Sequence, residues 1–302
     1  MITRKPQELI KTISYFFVYP EISERLNNEI DGRIASLKDA MQFINTKEGL
    51  VDYVSREPLA LDNIIMVLNV SGEYFKRIVT MMRARHGLDV SNEWSMKQTR
   101  QFFLNNEWFR DELCNLLLHG ADDKDWATLI PAFNLRAFKI DATTIARISN
   151  QDMMRILLKN DYNSTFSTEC SQRNIKRVEC ILEECCSLDN LVLERDIQVR
   201  LSGRSETIPY AISRFRGANP FFYIMVGFYL TTGSTQTGFV TKVSRLKQYI
   251  RENGQEASVI VVADGAGWVA RRSDFDDLCD SADQVYTLNS LPAFSELINE
   301  LK

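Results

Sequence analysis

Val259 to Ala263, inside the stretch "ASVIVVAD", are apolar at every position. Successive side chains of an extended strand point to opposite faces, so such a run needs apolar cover on both sides. That requirement calls for a sheet covered by helices. The rest of the chain can be read for what supplies the cover.

Up to about residue 165 the sequence reads as helix after helix. "PQELIKTISYFFVY", "ERLNNEIDGRIASLKDAMQFINT", "LDNIIMVLNV" and "GEYFKRIVTMMRARHG" carry apolar residues at helical spacing. So do "SMKQTRQFFLNNEWFRDELCNLLLHG" and "DATTIARISNQDMMRILLKN", and Gly87 and Gly120 stand where helix-ending glycines are expected. From about residue 171 the texture changes. "SQRNIKRVECILEECCSL" is a helix with a basic entrance, and "NLVLERDIQVRLSG" alternates like a strand ending at Ser-Gly. "TIPYAISRF" and "FFYIMVGFYL" follow as strands around the turn "RGANP". "QTGFVTKVSRLKQYIREN" is an amphipathic helix, "ASVIVVAD" a buried strand, and a short helix, strand and helix close the chain. The expected organisation is a helical region over residues 1–165 and an α/β core over residues 166–302.

Composition narrows the function classes. A chain of 302 residues with 45% apolar and 25% charged residues suits two modest domains or one large one with a substantial core. The net charge of -4 gives no global nucleic-acid footprint, which leaves only a local basic patch for that role. No apolar run reaches the roughly 18–20 residues of a membrane helix, and the start lacks a signal-peptide pattern, so a cytoplasmic protein is expected. Six cysteines (Cys114, Cys170, Cys180, Cys185, Cys186 and Cys279) fit reduced thiols. Cys180, Cys185 and Cys186 share one expected helix, and the two histidines, His86 and His119, are distant in sequence. Structural zinc asks for spaced ligand pairs, so partly buried thiols are the better reading and no metal is expected there.

Two segments carry a family resemblance. "GFYLTTGST" followed by a helix resembles the "E-V-N-F-Y-x-x-x-G-S-K" segment of type II restriction endonucleases of the DpnII/MboI group. "DGAGW" (Asp264 to Trp268), with Tyr286 and Asn289 beyond it, is similar to that group's "D-G-x-G-W" and "Y-x-L/I-N" words. "SQRNIKRVECILEE" is similar to its "K-N-R-x-G-x-x-M-E" helix, keeping Arg173, Asn174 and Glu179. The resemblance implies a PD-(D/E)XK nuclease frame, with an αβββαβ core and a mixed central sheet. It also implies carboxylates that hold Mg²⁺, which activates water for phosphodiester hydrolysis.

Those carboxylates are missing. The family's strand aspartate falls on or near Tyr210, its glutamate on Met225, the next alternate position on Gly227 and its lysine on Thr235. Tyr, Met, Gly and Thr cannot replace the hard charged oxygens that magnesium takes. A migrated set would consist of Glu179, Glu206 and Lys242. The basic residues that would meet a DNA backbone are Arg173, Lys176, Lys242 and Arg245. "DGAGW" reads as a structural turn, with Gly265 and Gly267 free to adopt positive φ, and "GSTQTG" lacks the Gly-Lys-Ser/Thr ending of a P-loop.

Three functions fit. The first is a catalytically silent relative that binds double-stranded DNA, or assembles with an active nuclease partner or with itself, in restriction or phage defence; it needs no cofactor. The second is an active Mg²⁺-dependent site-specific deoxyribonuclease with relocated residues. The third is a protein-interaction module on the nuclease frame.

Overall fold

Five helices of the first half begin where a short polar side chain receives the free amide protons of the first turn. Thr46 accepts from Gly49, Ser71 from Tyr74, Asn106 from Phe109, and Asp141 from Thr143 and Thr144. Ser95 and Gln98 form a reciprocal capping box. These caps set the helices Lys47–Arg56, Gly72–Arg85, Met96–Asn105, Glu107–His119 and Ala142–Ser149. With Pro20–Ala40 and Ala60–Val67, they bury one cluster that includes Leu50, Phe75, Phe103, Phe109 and Phe138. Gly87 ends its helix with φ +68°, as a left-handed cap should. Gly120 does not: it keeps right-handed helical angles and is glycine because a Cβ there would stand 2.8 Å from Leu116 and 3.0 Å from Phe138.

The computed structural model describes residues 6–300. Glu21–Ser164 form one compact unit; Met1–Pro20 and Thr165–Lys302 form the other. The second unit is built on a five-stranded sheet in the order β1-β2-β3-β4-β5. β1 (Val192–Leu201), β2 (Arg204–Ser213) and β3 (Phe222–Phe228) run antiparallel to one another in turn. β3, β4 (Ser258–Asp264) and β5 (Gln284–Tyr286) run parallel. A parallel pair needs a crossover, here the helix Ser234–Glu252 between β3 and β4. The mixed sheet and the order helix, three strands, helix, strand are those expected from the sequence. Val259 to Ala263 are fully buried, as the apolar run requires. Ser202 and Gly203, at φ +46° and +84°, make the two-residue turn of the β1–β2 hairpin.

Two elements differ from expectation. The helix expected over "PQELIKTISYFFVY" stops early. Pro6–Leu9 and a tight turn at Ile10–Thr12 are helical, and residues 13–19 leave the helix, with Ile13 extended and Ser14 drawn into bonds with Asp264. The stretches read as separate helices before and after residue 165 are one helix, Gln151–Leu188. Its polar middle, "KNDYNSTFSTECSQ", breaks the apolar stripe, but no Gly or Pro interrupts the backbone.

Candidate functional site

The parallel strands β3 and β4 end side by side, and the frame around their carboxyl ends is tightly closed. Tyr229 donates its amide to the Asp264 carbonyl at 3.0 Å, and Gly267 donates to the Tyr229 carbonyl at 2.8 Å. A Cβ at Gly267 would lie 2.5 Å from the Thr231 carbonyl oxygen, and one at Gly265 (φ +107°) 2.3 Å from that of Tyr229. Both positions therefore require glycine. Buried Gln236 fixes the connecting loop by accepting from the Gly233 amide at 2.7 Å and donating to the Thr231 carbonyl at 3.1 Å. Trp268, fully buried, donates its indole N–H to the Gly227 carbonyl at 3.1 Å. "DGAGW" is thus a clasp between two strand exits.

Asp264 is the other half of the clasp. Its carboxylate accepts from the Ser14 amide at 2.6 Å, the Ser14 hydroxyl at 3.2 Å, the Gly265 amide at 2.7 Å and the Leu288 amide at 2.9 Å. Burial pushes its pKa above the ordinary carboxyl value, while these bonds pull the other way. Asn289 donates to the Thr12 carbonyl at 2.9 Å, and Phe17 packs edge-on against Phe228. One carboxylate thus gathers the N-terminal segment and the exits of β4 and β5. Asp264 is occupied structurally on all sides.

The positions that the resemblance sets against the family's catalytic residues divide between the two faces of the sheet. Tyr210 pairs with Ile224 across β2 and β3, so these two share a face. Met225, next along β3, points to the other face. There it joins the cluster containing Val243, Leu246 and Ile250 of the crossover helix and Trp268. On its own face Tyr210 senses Glu179 and Glu183 of the long helix and Arg195 of β1. Burial first, then the Glu179 charge, pushes its phenol up to about 12. Gly227 is tightly surrounded, since a Cβ would sit 3.1 Å from the Phe239 ring and 3.2 Å from that of Tyr229, and a larger side chain would have to displace these rings. Tyr229, Phe239, Trp268 and Phe275 form an edge-to-face aromatic group in this space. Thr235 is exposed in the first turn of the crossover helix. These residues do not fit a magnesium ion, which takes carboxylate and water oxygens.

The alternative set divides in the same way. Glu206 and Lys242 form an ion pair at 3.0 Å, and Lys242 also donates to the Thr207 carbonyl at 2.9 Å, strapping the crossover helix to β2. Glu179 instead pairs with Arg195, which also binds Glu183. Among the described residues, no group of three or more His, Cys, Asp or Glu is arranged to hold a metal ion. Of the basic residues, Arg173 and Lys176 are exposed on the long helix and Arg245 on the crossover helix. The six cysteines form no disulfide, and burial pushes Cys114, Cys186 and Cys279 up to about 12, keeping them thiols.

Residues 158–296 match the DpnII restriction endonuclease family model. The sheet-bearing part of the chain is thus similar to type II restriction endonucleases. No curated protein matches it. Sequence reasoning missed Ser14 and Gln236 as parts of the frame. Gln236, three residues after Gly233, has capping-box spacing and was legible on that ground. Ser14 carries no such signal, because its partner lies 250 residues away.

Proposed function

We propose that the chain is a DNA-binding or assembly subunit on the PD-(D/E)XK frame, without catalytic activity of its own. It works beside an active nuclease subunit, or with further copies of itself, in restriction or phage defence. The observation that carries this reading is the aromatic packing around Gly227, with Met225 turned into the core, where the family's chemistry needs charged oxygens. Duplex DNA has two strands, so a subunit that cuts nothing still supplies half of a recognition surface. The cations assigned to the DNA backbone are Arg173, Lys176 and Arg245, with Lys242 held in its strap to β2. Such contacts position a duplex without reading its sequence.

The test is binding of labelled duplex DNA across a salt series, alone and with the product of the neighbouring gene. Salt-dependent binding without cutting, with cutting restored by the partner, is the expected result. The R173Q/K176Q variant should flatten the log–log salt slope by about 1.8, at about 0.9 per phosphate contact. Absence of duplex binding in every combination overturns the reading.

A second reading rests on the Glu206–Lys242 pair, an acid beside a lysine on the crossover side of the sheet. In that reading the chain is a Mg²⁺-dependent nuclease, and E206Q abolishes cutting by the chain alone.

A further inference from the structure

The helical unit contains an open cavity of about 840 Å³ that the reading above does not use. Its walls come from the end of the helix Ala60–Val67, the start of Gly72–Arg85, the segment 133–147, and Met153 and Leu157. Four charged residues line it: Arg136, Lys139, Arg147 and Asp141. Two of them are committed elsewhere. Lys139 is paired with Asp122 at 2.7 Å, and Asp141 caps a helix by accepting from the Thr143 and Thr144 amides at 2.9 and 3.1 Å. The guanidinium groups of Arg136 and Arg147 are left to set the sign. Arg136 is exposed, and Arg147 makes only a long 3.4 Å bond to the Val67 carbonyl. Both sit in a concave wall of a chain whose net charge is -4, which focuses positive potential locally.

On the cavity wall stands Phe133, 89% exposed, the most exposed large apolar side chain among the described residues. A ring that open contributes nothing to the fold. Beside two uncommitted guanidinia, it has the form of a stacking platform next to phosphate contacts, with the Asn69 and Asn134 side chains on the same wall. We infer that this cavity is a binding site for single-stranded DNA, in which Arg136 and Arg147 hold successive backbone phosphates and Phe133 stacks on an unpaired base. Stacking selects a single strand over a duplex, whose bases are already stacked on each other. The site is separate from the duplex contacts proposed above, and only its choice of ligand class rests on that reading.

The experiment is fluorescence anisotropy of the full chain with a labelled oligothymidylate and, separately, with a duplex, each over a salt series. R136Q/R147Q should weaken oligothymidylate binding and flatten its salt slope by about 1.4, at about 0.7 per phosphate for single strands. Phe133→Ala should weaken it about 5- to 100-fold at unchanged slope, because stacking releases no counterions. All three residues line an open cavity, so circular dichroism and thermal midpoint should match wild type and exclude misfolding. Oligothymidylate binding that is absent, or unchanged in both variants, overturns the cavity site whatever the duplex does. Duplex binding lost with single-strand binding intact overturns the subunit reading and leaves the cavity standing.

Discussion

Met225 is the position that the sequence resemblance sets against the family's glutamate. It is 2% exposed and packed among the crossover helix and Trp268. A glutamate placed there would bury an uncompensated charge at a cost of about 3–5 kcal/mol. Met225→Glu should therefore lower the denaturant midpoint and bind no Mg²⁺ in calorimetry. Stable folding with Mg²⁺ binding would contradict the account of this position. Asp264 gives the pH-dependent prediction. Its folded pKa lies above the ordinary value, so its stabilising contribution is full below about pH 4 and is lost as pH rises through the folded pKa. Asn does not titrate. The stability difference between wild type and Asp264→Asn should thus shrink as pH rises from about 4, then level off. A difference that grows with pH would mean that the hydrogen bonds outweigh burial. At every pH the Asn variant turns an amide toward N–H donors, leaving at least one unsatisfied at about 1–3 kcal/mol.

At the scale of elements, the sequence showed most of what periodicity controls. β4 was legible from five apolar residues in a row, and the crossover helix from its stripe of Val243, Leu246 and Ile250. Where local pattern and distant partners disagreed, the partners decided. Residues 13–19 have helical spacing but form no helix, because Asp264 claims the Ser14 amide and Phe228 takes Phe17. The face on which Tyr210 points was hidden too. It follows from strand register, which depends on which residues of β2 and β3 pair. The N-terminal segment is the element whose role is most easily tested. Deleting residues 1–18 removes two of the four donors to the Asp264 carboxylate and uncovers Phe228. The shortened chain should have a lower thermal midpoint, with hydrogen exchange accelerated at Leu288 and Gly265. Unchanged exchange there would show that the clasp holds without the segment.

For the whole molecule, the sheet-bearing unit carries the match to the DpnII restriction endonuclease family model, and in it Met225 and Gly227 are surrounded by apolar and aromatic packing. The glycines of "DGAGW", the Gln236 loop and the Trp268 indole bond hold the strand exits as a rigid structure. Described helices offer no segment long and apolar enough to cross a membrane. The frame was legible in the sequence because turn residues and apolar strands leave local signatures. The packing around Gly227 was not legible, because its rings come from β3's exit, the crossover helix and the helices after β4. The most direct measurement is cleavage of supercoiled plasmid by the purified chain alone, in excess over DNA, with Mg²⁺ or Mn²⁺. The account predicts no nicked or linear product over hours, with retained salt-sensitive binding to the same DNA. Metal-dependent cutting that disappears in E206Q would contradict it and place a working site on the Glu206–Lys242 pair.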